Sequence, residues 1–225
     1  MSQSGDLPYN PLSIGSIADS IVRELMGRVC GSLPPANRFS GAGIYAIYYV
    51  GAFPAYAPIA TNNQSECIQP IYVGKASPKG GRKGVAVELS TSGQPLFQRL
   101  GQHAESIRSA STSLRLDDFR CRYLVVEELF IDLAERKLIQ AYKPVWNAFL
   151  DGFGNHAPGS GRQNQKRSGW DELHPGRPWA APLQPNSRSA SQWSQDVISY
   201  LNDVATGALS ELTIVDDGSG DATDE

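Results

Sequence analysis

Cysteine is scarce in this sequence. Its three cysteines, Cys30, Cys67 and Cys121, are far apart, and none belongs to a C-x-x-C pair. An odd number of isolated cysteines indicates neither a disulfide framework nor a zinc site. We therefore expect a chain whose thiols are reduced.

Long apolar runs are also lacking. No stretch approaches the roughly 18 consecutive apolar residues that a membrane-spanning helix needs. The N-terminus has no basic segment followed by an apolar one, so it does not resemble a secretory signal. These absences argue against a membrane partner and predict a soluble, cytoplasmic protein. With 225 residues, 40% of them hydrophobic, the chain can bury the core of one domain with extensions.

The chain has no overall excess of positive charge, since its formal net charge is −3. The acidity is concentrated at the C-terminal end, where residues 181–225 carry one Arg and eight Asp or Glu. Residues 41–180 carry 16 Lys or Arg against 12 Asp or Glu, a net charge of +4. A mildly basic central segment is compatible with a polyanionic substrate.

Predicted strands and helices alternate over the first two thirds of the chain. Helical spacing of apolar residues predicts helices at 13–29, 94–110, 129–143 and 191–206. Period-two runs predict strands at 43–53, 70–75 and 119–128, with a long loop over 54–69. This order indicates a compact α/β unit with a small sheet.

The C-terminal third lacks clear periodicity and is rich in Gly, Pro, Asn, Gln, Ser and Trp. We divide the chain into a helical N-terminal extension (1–40), a core (41–150), a C-terminal extension (151–206), and a disordered acidic tail (207–225). The alternative for WDELHPGRPW (170–179) is a packed structural segment anchored by Trp170 and Trp179.

A carboxylate interrupts the apolar face of the helix predicted at 129–143. Glu135 shares that face with Ile131, Leu138, Ile139 and Tyr142. An ionised carboxylate that faces a core is costly unless it is paired or bound to a metal. Two readings stay open: a salt bridge to a buried Arg, or a ligand for a hard divalent cation, which prefers oxygen donors.

Two strand-like runs, GIYAIYYV (43–50) and PIYVGK (70–75), each carry an Ile-Tyr pair with a nearby glycine. Alternation places Tyr45 on the same strand face as Ile47 and Tyr49. Gly43 and Gly74 lack side chains, as close approach of a bulky substrate would require. The alternatives are packing within a hairpin for Tyr45 and Tyr72, and ordinary strand-end glycines.

Arg99 and His103 are four residues apart and therefore share a helix face. Beside a phosphate, Arg can stabilise developing negative charge and His can move a proton. By itself such a pair most often belongs to a solvated helix face, and it gains weight only together with Glu135 and the tyrosines.

Taken in chain order, GIY at 43–45, YVG at 72–74, Arg99, Glu135 and Asn147 resemble the GIY-YIG nuclease superfamily. The resemblance spans roughly residues 41–150 and departs from the usual pattern in a longer spacing between the tripeptides and in Val73. It implies an α/β (α+β) fold with a three-stranded, mostly antiparallel sheet flanked by helices. WNAFLDGFGNH (146–156) and SGWDELHPGRPWA (168–180) further resemble type II restriction endonucleases that cut the palindrome CCGCGG.

The resemblance also implies roles in phosphodiester hydrolysis. Glu135 would hold one Mg²⁺ or Mn²⁺, and Arg99 would stabilise the transition state. Tyr45 is the candidate general base, although His103 could instead relay its proton, and the sequence leaves that choice open. Tyr72 would orient the water or the phosphate. Asn147 would fix local geometry or touch the phosphate.

Basic residues in two glycine-containing segments, PKGGRKG (78–84) and GRQNQKR (161–167), are candidates for DNA contacts. The predicted DNA-binding residues are Lys75, Arg82, Lys83, Arg162, Lys166 and Arg167, with solvated loops as the alternative. A palindromic target favours a homodimer, and the C-terminal extension (151–206) is the candidate for the DNA or dimer contacts. The resemblance to type II restriction endonucleases also implies a cognate DNA methyltransferase acting on the same site. Two other functions stay open: a structure-selective repair or mobile-element nuclease, and a catalytically inactive DNA-binding protein.

Overall fold

The centre of the molecule is a four-stranded antiparallel sheet. The computed structural model describes residues 12–77, 93–157 and 165–208. The strands are β1 (Gly31–Ser32), β2 (Gly43–Tyr49), β3 (Tyr72–Ala76) and β4 (Phe119–Val125), in the order β1-β4-β2-β3. The three longer strands confirm the predicted α/β class. The expected strand count was one too low, because β1 has only two residues and is too short to show a period-two pattern.

Strand β2 lies between β3 and β4 and is buried along its whole length. Its alternation follows the prediction. Tyr45, Ile47 and Tyr49 belong to one hydrophobic cluster, and the residues between them belong to a second cluster on the opposite face. The catalytic candidate on this strand is therefore fixed by packing on both sides of the sheet.

Helices cover both faces of the sheet. The face opposite Tyr45 is covered by α1 (Ile14–Gly27) and α4 (Glu128–Tyr142). The Tyr45 face is covered by α2 (Ala57–Asn63), α3 (Pro95–Ser109), α5 (Val145–Ala148), α6 (Gly169–Leu173) and α7 (Ala190–Ala205). Within the described ranges, no helix is both long enough and apolar enough to cross a membrane.

The segment 54–69 differs from the predicted loop. It contains a 3-10 turn at Pro54–Tyr56 followed by α2. The buried Asn63 at the end of α2 holds the rest of the segment, because its amide bonds the backbone of Tyr49, Ile68 and Gln69. These contacts come from a single polar side chain and leave no periodic pattern in the sequence.

Residues after 150 pack into the same core. The ring of Trp170 is fully buried, as expected for a packed WDELHPGRPW segment. His174 is also buried and bonds the hydroxyls of Tyr56 at 2.5 Å and Ser113 at 2.9 Å. The indole of Trp146 donates to the same Tyr56 hydroxyl. The predicted DNA or dimer role of 151–206 stays a prediction, as does the acidic tail, which lies outside the described residues from 209 onward.

The expectation that the chain has no disulfide is wrong. Cys30 and Cys67 are joined, with their Cα atoms 6.4 Å apart, and Cys121 is free and buried. Arg122 on β4 brings the two segments together, since its guanidinium donates to the carbonyls of Arg28 and Cys67. A pairing that depends on such a bridge cannot be read from cysteine spacing.

Candidate active site

Tyr45 and His103 form the buried centre of the site. Strand β2 directs Tyr45 toward α3, where the Nε2 atom of His103 lies 2.5 Å from the tyrosine Oη. The exposed fractions of the two residues are 0% and 2%. The ring of Tyr72 lies 5.2 Å from His103 and 6.2 Å from Tyr45, measured between ring centroids. The two predicted tyrosines therefore meet at one histidine.

Gly74 makes this convergence possible. A Cβ atom at that position would lie 2.4 Å from Tyr45 Oη and 3.1 Å from the Tyr72 ring. At Gly43 a Cβ atom would lie 2.0 Å from the Leu124 carbonyl oxygen of the neighbouring strand. The expectation that both glycines admit substrate is corrected: they make room for the protein's own tyrosine and backbone.

Burial sets the protonation states of the central pair. It raises the pKa of Tyr45 well above its usual value, with a further contribution from Tyr72, whereas Arg99 lowers it. Burial lowers the pKa of His103 well below its usual value, and the charges of Arg99, His156 and Arg177 act in the same direction. Both groups are therefore neutral at neutral pH, and the nearby cations do not outweigh the burial of the phenol.

Arg99 lies one turn before His103 on α3 and is held by a loop that follows α5. Its Nη2 donates to the carbonyl of Gly154 at 3.1 Å, and its Nη1 donates to Nε2 of His156 at 2.6 Å. Both acceptors belong to residues 152–156, which we call the 152–156 loop. His156 was missed as a site residue because it lies in a segment without periodicity.

Asn147 binds the backbone of the second tripeptide. Its Oδ1 accepts from the Val73 N–H at 2.8 Å, and its Nδ2 donates to the Val73 carbonyl at 2.9 Å. Val73 is the residue between Tyr72 and Gly74. Of the two roles considered for Asn147, these contacts support the fixing of local geometry.

Replacement of Asn147 by Asp is expected to destabilise the fold by about 1–3 kcal/mol and to slow cleavage. The carboxylate keeps the acceptor for the Val73 N–H but places negative charge against the Val73 carbonyl. Urea denaturation gives the stability, and a DNA cleavage assay on the folded protein gives the rate. Asn63→Asp is the matched control, because the Asn63 amide also donates to and accepts from backbone groups, but it does not bond the backbone of Val73. Equal losses of rate in the two variants would contradict a specific role of Asn147 in fixing the second tripeptide.

Glu135 lies beside β3 and contacts Lys75. Its Oε2 lies 2.9 Å from the Lys75 Nζ, and Oδ1 of Asp132 lies at the same distance from that ammonium. The Glu135 side chain is 17% exposed, and its charge contributes to the raised pKa of Tyr45. Burial lowers the pKa of Lys75, but the bonds to both carboxylates outweigh this effect and raise it. The partner is a lysine rather than the buried arginine considered above.

The donor set around Glu135 fits a metal ion that is completed by substrate. Across the described ranges, no group of three or more His, Cys, Asp or Glu residues could hold a metal ion. Mg²⁺ commonly binds one or two carboxylates together with substrate phosphates and water. Glu135 supplies such a carboxylate.

The predicted DNA-binding residues have different surroundings. Lys166 is exposed, whereas Arg167 is partly buried with its Nη1 3.7 Å from Glu172. The Lys75 ammonium forms the ion pair with Glu135 on α4 that is described above. Arg82, Lys83 and Arg162 lie outside the described residues. DNA contact by these six residues stays a prediction.

Mild acid is expected to destabilise the fold. Burial lowers the pKa of His174 from 6.5 to about 3, and that of His103 also falls. Below pH 6.5 the unfolded chain therefore binds protons that the folded protein excludes, so the free energy of unfolding decreases as the pH falls. Each histidine adds a slope of about 1.4 kcal/mol per pH unit. Denaturation between pH 6 and 5 should give a shallower slope for His174→Gln than for wild type, and equal slopes would refute this.

The sheet, with its GIY and YVG tripeptides on adjacent strands and Arg99, His103 and Glu135 around them, has the architecture of the GIY-YIG nucleases. The family model described as Eco29kI GIY-YIG domain matches residues 37–201, more than half of the chain, and the chain therefore belongs to this family of type II restriction endonucleases. Such enzymes are hydrolases that bind double-stranded DNA, and GIY-YIG nucleases generally use divalent metal ions. No curated protein matches the chain.

Proposed function

We propose that this protein is a type II restriction endonuclease that hydrolyses both strands of double-stranded DNA at the palindrome CCGCGG with one divalent metal ion, Mg²⁺ or Mn²⁺. The observation that carries the proposal is the buried Tyr45–His103 hydrogen bond, with Arg99 and Glu135 beside it. A neutral phenol can pass its proton to a neutral imidazole without becoming a buried phenolate, provided that its oxygen takes a proton from the attacking water in the same step.

In the proposed reaction, Tyr45 donates its proton to Nε2 of His103 as it takes a proton from the attacking water. The water oxygen then bonds to phosphorus, the bond to the leaving oxygen of the DNA breaks, and that oxygen takes a proton from solvent. Tyr45 ends the step neutral and His103 ends it as imidazolium. This assignment uses both candidates for the general base, because the raised pKa of Tyr45 makes it a poor base without a partner.

Arg99 would stabilise the negative charge that develops on the phosphate oxygens. A divalent metal held by Glu135 would supply further charge stabilisation at the phosphate. Tyr72 would orient the water or the phosphate from the edge of the same site. Asn147 would keep Tyr72 in place through Val73, and Lys75 would hold Glu135 until DNA arrives.

The partners follow from the same proposal. A palindrome with one scissile bond per strand calls for a homodimer, with DNA contacts from Lys75, Arg82, Lys83, Arg162, Lys166 and Arg167. An enzyme of this kind acts in the cytoplasm within a restriction-modification system. A DNA methyltransferase that modifies the same site would protect the host DNA.

The test is digestion of a plasmid of known sequence by the purified full-length protein, with Mg²⁺, with Mn²⁺ and with EDTA. Discrete metal-dependent fragments whose ends map to CCGCGG are the expected result. Discrete fragments ending elsewhere would overturn the recognition site alone. A smear would favour a less selective nuclease, and DNA binding without cutting in any metal would favour an inactive DNA-binding protein.

A further inference from the structure

A buried arginine lies beneath the 152–156 loop. Arg177 is 2% exposed, and its Nε and Nη2 atoms donate to the two carboxylate oxygens of Asp171, each at 2.6 Å. Its guanidinium carbon lies 4.5 Å from the ring centroids of both Trp170 and Trp179. A forked ion pair combined with aromatic stacking holds a guanidinium in one orientation.

The other bonds of Arg177 go to the backbone of the 152–156 loop. Nη2 donates to the Gly152 carbonyl at 2.8 Å, and Nη1 donates to the carbonyls of Phe153 and Asn155 at 3.2 and 3.3 Å. Gly152 has φ of +103°, and a Cβ atom there would lie 1.9 Å from the Ser168 hydroxyl oxygen. The conformation of the loop is therefore determined by this arginine and by a glycine with no space for a side chain.

The same loop contacts the catalytic candidates. The ring of Phe153 stacks on His103, with centroids 4.7 Å apart and planes 18° apart. The carbonyl of Gly154 accepts from Arg99, and His156 accepts from the other terminal nitrogen of Arg99. One loop thus connects Arg177 to both Arg99 and His103.

We propose that Arg177 is a positioning residue for cleavage, which acts through the 152–156 loop to orient Arg99 and His103. The inference rests on the proposed function, and Arg177 itself touches no reacting atom. A buried ion pair is often replaceable by apolar residues without loss of stability. Three loop carbonyls, however, need donors at fixed positions, and only the planar fork of an arginine supplies these together with the pair to Asp171.

The test is Arg177→Lys, which keeps the positive charge and loses the fork. We expect kcat for metal-dependent DNA cleavage to fall by about 10²-fold with little change in KM, since small misplacements of catalytic groups have effects of this size. Arg188→Lys is the matched control and should cleave like wild type. Arg188 also stacks on a tryptophan, Trp193, and pairs with Asp196, but it is exposed and lies in the segment that leads into α7.

A second readout does not depend on cleavage. The chain has three histidines, so NMR titration of each imidazole can be assigned with single substitutions. In Arg177→Lys the pKa of His103 should rise toward its ordinary value, because a displaced Phe153 ring admits water to the imidazole. A residue that contributed only to global stability would leave this pKa unchanged.

Trp179→Leu is a milder variant, since it removes one ring from the guanidinium and keeps the pair to Asp171. As in Arg177→Lys, kcat should fall and the pKa of His103 should rise. If Arg177→Lys does not fold, Trp179→Leu tests the positioning role in its place. Wild-type kcat and wild-type His103 pKa in the folded variants would overturn the positioning role. If the wild-type protein did not cleave DNA, the proposed function would fail, and the histidine titration would still test the positioning role.

Discussion

Replacement of Glu135 by Gln is expected to lower the rate of DNA cleavage by about 10³-fold, equivalent to about 4 kcal/mol, while DNA binding persists. Glutamine has nearly the size of glutamate and can still accept a hydrogen bond from Lys75. It carries no negative charge, so it cannot replace the anionic ligand of a metal ion that is otherwise held by phosphates and water. The loss should therefore appear in the chemical step.

Asp132→Asn is the matched control for Glu135→Gln. Asp132 lies on the same helix and forms an equally short contact with Lys75, but its side chain is 68% exposed. We expect it to retain most of the activity. Single-turnover cleavage of a duplex, compared with binding measured in EDTA, separates the two steps. Wild-type cleavage by Glu135→Gln would exclude the metal-ligand role, and equal losses in both variants would point to Lys75 as the important group.

Tyr45→Phe and His103→Ala are each expected to slow cleavage by about 10²–10⁴-fold, and the double variant should be scarcely slower than either. In the proposed reaction the two groups act as one unit, because the phenol would pass its proton to the imidazole across their 2.5 Å contact. Removing either partner therefore removes the function of both, and their free-energy changes should not add.

Single-turnover rates for the four proteins of this cycle test the coupling. Tyr49→Phe serves as the control, since Tyr49 lies on the same face of β2, is equally buried and uses its hydroxyl to accept from the Phe53 N–H. It should lose some stability and little activity. Additive effects of Tyr45→Phe and His103→Ala would mean that the two residues act independently, and normal cleavage by Tyr45→Phe would move the general base to His103.

Regular patterns made much of the fold predictable. The alternation on β2 placed Tyr45 and Tyr49 on the same face as Ile47, and helical spacing placed Arg99 and His103 on one side of α3. Glu135 stood out because it is a charge within an apolar face. These signals arise from burial, which repeats with the period of each element and is therefore written in the local sequence.

Contacts from irregular segments could not be predicted in this way. His156 and Arg177 reach the site region from a stretch without periodicity, and Asp132 shares Lys75 although it lies off the apolar face of its helix. The same holds for the Cys30–Cys67 disulfide, whose two segments are both bonded by the Arg122 guanidinium. Each contact is determined by the assembled fold, and no local rule links the partners.

Strand β3 lies at the edge of the sheet, and the Asn147 side chain therefore has a second effect there. An edge strand presents unpaired backbone groups that can recruit a strand from another molecule, and such pairing leads to aggregation. At Val73 both outward backbone groups are occupied by the Asn147 amide, and the neighbouring Ile71 carbonyl accepts from the Trp146 N–H. The short segment that fixes the second tripeptide therefore also protects the first half of this edge from intermolecular strand addition.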